Sequence, residues 1–100
     1  MKSGYRIDWT VEALNNLDDI IDYLTNRWSN REISIFYKLL DKRLELLSKS
    51  PHIFPDSELK TNVKRSVLSK QTTVYFEVKT NSIVILSLFD NRKNPGSLKI

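Results

Sequence analysis

Residues 62–90 read NVKRSVLSKQTTVYFEVKTNSIVILSLFD. Three β-prone runs lie in this stretch, NVKRSVLS (62–69), TTVYFEVK (72–79) and SIVILSLF (82–89). Their links, Lys70-Gln71 and Thr80-Asn81, are too short for anything but antiparallel hairpins. The last run is almost wholly apolar, which predicts a central strand buried on both faces.

Upstream of this stretch the period changes from two to between three and four. Leu14, Leu17, Ile21, Leu24 and Trp28 form one stripe on a predicted helix of about five turns. Thr10 is placed to cap it, and Asp18, Asp19 and Asp22 lie on its other face. The tetrad SNRE at 29–32 is a capping-box pattern, with Ser29 as cap and Glu32 reaching back. It opens a second helix whose stripe is Ile33, Phe36, Tyr37, Leu40, Leu44 and Leu47, ended by SKSP at 48–51. So short a link between the two predicts an antiparallel helical hairpin. Residues 51–61, PHIFPDSELKT, read as a surface loop. Before the helices, YRIDW (5–9) alternates apolar and polar residues and reads as a short strand joining the sheet. The expected fold class is therefore α+β, in the order β-α-α-β-β-β, with the N-terminal helical hairpin packed on a small antiparallel sheet.

One hundred residues suit one domain, and 40% hydrophobic residues with two glycines and three prolines are enough apolar side chains to offset the entropy of ordering. The chain has no cysteine, which excludes disulfides, thiolate metal sites and a cysteine nucleophile. His52 is the single histidine. Alone in its loop it builds neither a zinc site nor a Ser-His-Asp arrangement, so no metal and no cofactor are expected. The carboxylates Asp18, Asp19 and Asp22 have the spacing of a solvated helix face rather than of a glycosidase pair. No segment has the roughly 18–20 apolar residues of a membrane span, and no signal peptide opens the chain; a cytoplasmic protein without a membrane partner is expected.

The net charge of +4 is unevenly spread. Residues 1–60 carry nine Lys/Arg against ten Asp/Glu, and residues 61–100 carry seven against two. A basic C-terminal part favours an acidic protein or a nucleic acid as partner. Within it, Val63, Arg65 and Val67 share one strand face, and Lys64, Ser66 and Leu68 the other. An arginine between two valines is expected to be partly buried and to pair with a carboxylate or await an anion. Asp90 is a candidate internal partner for it. Arg92 and Lys93, in FDNRKNP (89–95), follow the end of the last strand and are free to meet a ligand.

The order of elements and the residues together resemble the RelE/ParE superfamily of toxins from type II toxin–antitoxin systems. The matching pieces are YRIDWTVEALNNLDDIIDYL, NREISIFYKLLDKRLELLSKSP, KRSVLSKQTTVYFEV and VILSLFDNRKNP, together nearly the whole chain. The resemblance implies inhibition of growth and a cognate antitoxin whose C-terminal segment folds onto the toxin. RelE-like members cut messenger RNA on the ribosome without metal, and for that activity Arg65 and Arg92 look like the catalytic, phosphate-holding arginines, with Lys60 and Lys64 as extra cations. The histidine or tyrosine that such nucleases often carry near the end is absent, and Asp90 and Asn91 stand there. ParE-like members poison DNA gyrase and need no acid–base pair. The strand ending followed by NRKNP resembles them, although many have histidine where Asp90 stands.

The ParE-like branch is the favoured expectation, with the RelE-like nuclease as the alternative and an inactive relative that only binds an antitoxin as the third. The expected surface for target or antitoxin is Lys60, Lys64, Arg65, Asp90, Arg92 and Lys93. A flexible acidic antitoxin segment would lie in an apolar groove. Trp28 or Phe36 could contribute to it, although the helix stripes favour both as core.

Overall fold

The computed structural model describes residues 4–100. Strand β1 (Arg6–Trp9) leads into helices α1 (Val11–Arg27) and α2 (Asn30–Lys49), followed by β2 (Lys64–Val67), β3 (Thr72–Val78) and β4 (Ser82–Asp90). Single 3₁₀ turns lie at Pro51–Ile53 and Pro95–Ser97. The α+β fold read from the sequence is the fold observed. None of the described helices is long and apolar enough to cross a membrane.

The sheet is mixed, in the order β1-β4-β3-β2. β2, β3 and β4 are antiparallel as expected, though their links run to four residues (68–71) and three (79–81) rather than two, and β1 pairs parallel with β4, from Arg6 opposite Ser82 to Trp9 opposite Ile85. No short link joins β1 to β4, so nothing in the local sequence sets their relative direction. The helical hairpin between them is the kind of long connection that a parallel pair needs. β4 is central as expected, yet its second face is only half-buried, at Val84 and Phe89.

β4 carries a bulge. Tyr75 lies opposite Ser87, and the next residue, Phe76, lies opposite Ile85, which leaves Leu86 as the extra residue. The Thr10 hydroxyl reaches the carbonyls of Ile85 and Leu86, both at 3.1 Å, and accepts from the Ala13 amide at 3.1 Å. The cap expected for the first helix thus also ties that helix to the irregular part of the sheet.

The core is formed by Val74, Phe76, Ile83, Ile85 and Leu88 of the sheet against Ala13, Leu40 and Leu47 of the helices. Around it pack Leu17, Ile20, Phe36, Leu39 and Leu44. α1 is rotated from its predicted phase: Ala13, Leu17 and Ile20 turn inward, while Leu14 and Trp28 are 46% and 55% exposed. Ala13 is small and fully buried, so α1 can lie close to β4 at its first turn. A bulkier residue would hold the helix away from the strand. In α2 the predicted core residue Tyr37 is exposed, and Leu39 packs inward instead. The Ser29–Glu32 capping box is present, with the Glu32 carboxylate accepting from the Ser29 amide at 3.1 Å.

Both flanks of the sheet are tied down. At the β1 side the Tyr5 amide donates to the Ser48 carbonyl at 2.9 Å, and the Ser48 hydroxyl to the Tyr5 carbonyl at 2.7 Å. A Cβ at Gly4 would collide with the Ser48 Oγ, so a larger residue there would turn that hydroxyl away from the Tyr5 carbonyl. At the β2 edge the Arg65 amide donates to Pro55, and Asp56 forms a bridge with Lys64. Arg43 of α2 completes this edge, donating to the Ser66 Oγ at 2.6 Å and to the Val67 carbonyl at 2.7 Å. A strand edge occupied in this way is a poor template for pairing with another chain.

Candidate functional site

β1 ends opposite Ile85, and β4 runs on to Asp90 without a strand neighbour on that side. α1 lies along the gap. Asn16 Oδ1 accepts from the Leu88 amide at 3.0 Å and from the Ser87 hydroxyl at 2.9 Å, and its Nδ2 donates to Glu12. Beyond Asn16 the space between the two helices and the end of the sheet opens into a groove of about 800 Å³. Its apolar wall is Ile20, Tyr23, Leu24 and Trp28 of α1 with Ile35, Phe36 and Leu39 of α2, and Leu88, Asp90, Arg92 and Lys93 line its sheet end. Trp28 and Phe36 therefore belong to a groove wall, and Trp28 is not core.

The segment after β4 is tied to the sheet through Asn91. Asn91 donates its amide to the Gln71 carbonyl at 2.8 Å and its Nδ2 to the Lys70 carbonyl at 3.3 Å, and its Oδ1 accepts from the Thr73 hydroxyl at 2.7 Å. Asn94 then caps the 3₁₀ turn by accepting from the Gly96 amide at 2.8 Å. Arg92 is thus carried on a fixed turn.

Asp90 pairs with Arg92, not with Arg65. Arg92 Nε donates to one carboxylate oxygen at 3.0 Å and Nη2 to the other at 2.9 Å, and the Arg92 amide adds a third bond at 2.9 Å. Hydrogen bonding from Arg92 holds the Asp90 carboxyl below the ordinary aspartate value, and Asp90 in turn raises the Arg92 guanidinium. The guanidinium carbon also stands 5.9 Å from the centre of the Tyr23 ring, and that of Arg27 stands 5.5 Å from the same ring. Two cations thus flank one aromatic side chain.

Of the residues expected at the site, the structure brings Asp90, Arg92 and Lys93 together. Arg65 lies opposite Tyr75, and Tyr75 opposite Ser87, so Arg65 is half-buried on the face of the sheet that Asp90 does not share. Its neighbour Val67 is 53% exposed, so the pair of valines does not enclose it. Lys64 is held at the far end of β2, donating to the Phe54 carbonyl and to Asp56 at 3.0 Å each. Lys60 lies in the preceding loop, where its Nζ donates to the Ile100 carbonyl at 2.9 Å. His52 packs edge-on against Tyr5 with ring centres 6.4 Å apart.

Tyr23, Arg27 and Asn16 were not among the expected residues. The first two had a visible signal, since positions four apart on a helix face each other. For Asn16 nothing local pointed to the sheet, because the Leu88 amide and the Ser87 hydroxyl that it accepts from lie more than 70 residues away.

The sequence matches the model of the family described as ParE toxin of type II toxin–antitoxin system, parDE, over residues 7–95. Among solved structures, a chain of the chromosomal ParDE TA system from P. aeruginosa superposes with a TM-score of 0.72, covering 86% of this chain and 95% of that one. At 20% identity that likeness concerns the fold. A comparison with curated proteins finds no match.

Proposed function

The chain belongs to the ParE toxin family of type II toxin–antitoxin systems, and from that membership we propose that it arrests growth in the cytoplasm by poisoning DNA gyrase. The observation that carries this reading is the family match across residues 7–95, which includes the Arg92–Lys93 turn. A gyrase poison acts by binding the topoisomerase, so it needs a firm, charged contact surface rather than an acid–base pair. The turn at 90–97, braced by Asn91 and Asn94, supplies such a surface.

The nuclease alternative asks more of the molecule. Gripping one phosphate with Arg65 and Arg92 requires both arginines on one side of the sheet. Their opposite faces, and the absence of a histidine or tyrosine after Tyr75, favour the gyrase reading.

The antitoxin is proposed to be an otherwise flexible acidic segment that folds on contact. Its apolar side would enter the groove beside Trp28 and Phe36, with Arg92 and Lys93 meeting its charges. Induced expression tests the toxin assignment, because a culture that keeps growing removes it. Purified protein added to gyrase tests the target: unchanged supercoiling and no added cleavage complexes would defeat the gyrase assignment. Ribosome-dependent cuts in messenger RNA would then install the nuclease.

A further inference from the structure

The Arg92 guanidinium has five N–H donors in a rigid plane. Asp90 takes Nε and one hydrogen of Nη2. Of the remaining three, one from Nη1 and one from Nη2 form the adjacent edge of the plane and the third, on Nη1, points back along the side chain; Tyr23 sits beside the group. Carboxylate and ring together restrict the rotation of a side chain that would otherwise sample many rotamers.

We propose that Asp90 and Tyr23 are positioning residues that hold the free Nη1/Nη2 edge of Arg92 as a subsite for one carboxylate side chain of an acidic peptide, with Arg27 as the flanking cation. The forked edge matches the two oxygens of a carboxylate, and because both partners are already fixed, little ordering is lost on binding. The local charge favours a carboxylate over a phosphodiester strand. Asp90 already neutralises Arg92, which leaves Arg27 beside the ring and Lys93 and Lys99 along the groove; among the described residues none of the three has an ion-pair partner. Asp19 and Glu12 line the groove about one and three turns further towards the start of α1. They repel an anion that runs along the whole groove but leave room for one that enters at Arg92. The proposal rests on the reading that this face receives a protein partner.

The test uses the full chain, side-chain nitrogen NMR of the arginines and an acetylated hexaglutamate peptide at low salt. Saturable movement of the Arg92 Nε signal is expected, with none from hexaglutamine. Arg92→Gln should abolish binding, and Asp90→Ala should weaken it by about tenfold. Asp90→Glu should restore part of the affinity. Circular dichroism of each variant separates unfolding from loss of the subsite, and Lys79→Gln, on the far hairpin, is the control for general charge.

Tighter binding by Asp90→Ala would mean that Asp90 competes with the ligand, and would overturn the proposal. So would equal binding by the Arg92→Gln variant, or displacement of the peptide by a 12-base-pair DNA duplex at equal charge concentration. Growth arrest is scored separately. A protein that stops growth but leaves Arg92 unmoved keeps its toxin assignment and loses this subsite.

Discussion

Asn16 stands in for a missing strand at Leu88: its Oδ1 lies 3.0 Å from the Leu88 amide at the point where β1 no longer covers β4. The same oxygen accepts from Ser87, a residue only 2% exposed. Replacing Asn16 with alanine would leave a buried hydroxyl and an edge amide without an acceptor. The expected loss is about 1–3 kcal/mol of unfolding free energy, read from urea denaturation. Asn16→Asp retains the acceptor but sets its second oxygen against the Glu12 carboxylate, so it should not restore full stability.

Trp28 is more than half exposed, so truncating it removes groove wall without opening the core. Trp28→Ala should keep the denaturation midpoint within about 0.5 kcal/mol of stability. If the antitoxin occupies the groove, its affinity should fall by about 2 kcal/mol, roughly thirtyfold, as measured by calorimetry on the purified pair. Unchanged affinity would move the antitoxin to another face.

Charge reversal separates the two arginines. Arg92→Glu places a second carboxylate beside Asp90 and should abolish growth arrest. Arg65→Glu, on the other face, should leave arrest intact if gyrase is the target. Loss of arrest in both variants, scored by colony formation on inducing plates, would revive a shared phosphate grip.

The Asp90 carboxyl has a folded-state value below its ordinary value near 3.8. Its contribution to stability is therefore complete above that ordinary value and is lost as pH falls through the lower, folded value. The pair is solvent-exposed, so screening keeps that contribution small. Asp90→Asn should accordingly lower stability slightly above about pH 5 and converge with the parent curve at low pH, which flattens the acid limb. A deficit that persists at low pH, where the carboxyl contributes nothing, would indicate lost packing rather than lost charge.

Hairpin links, caps and helical periods could be read from the sequence because each depends on residues close together in the chain. Thr10 and the SNRE box act where expected, and both hairpins form, with links of four and three residues in place of two. The phase of α1 could not be read in this way, because Leu14 and Ile21 flank Leu17 and Leu24 as well as Ala13 and Ile20 do. Only contact with β4 selects the side that carries alanine. The parallel pairing of β1 depends on the two ends of the chain meeting. At the site, Arg92 and Lys93 were legible as charges next to a strand end. The pairing of Arg92 with Asp90 over Tyr23 was not, since it depends on which way a strand residue faces several positions past an irregularity.

That irregularity is the single extra residue, Leu86. Counting by twos from Ile83 and Ile85 would send Asp90 to the face of Tyr75 and Arg65, where the two could have met. The extra residue reverses the count, so Leu88 and Asp90 fall with Ile85 on the helix side. One inserted position thus acts as a change of address for every side chain after it. Removing Leu86 would leave Asp90 on the helix side by plain alternation, whereas straightening the strand with Leu86 kept would hand the carboxylate to the face of Arg65.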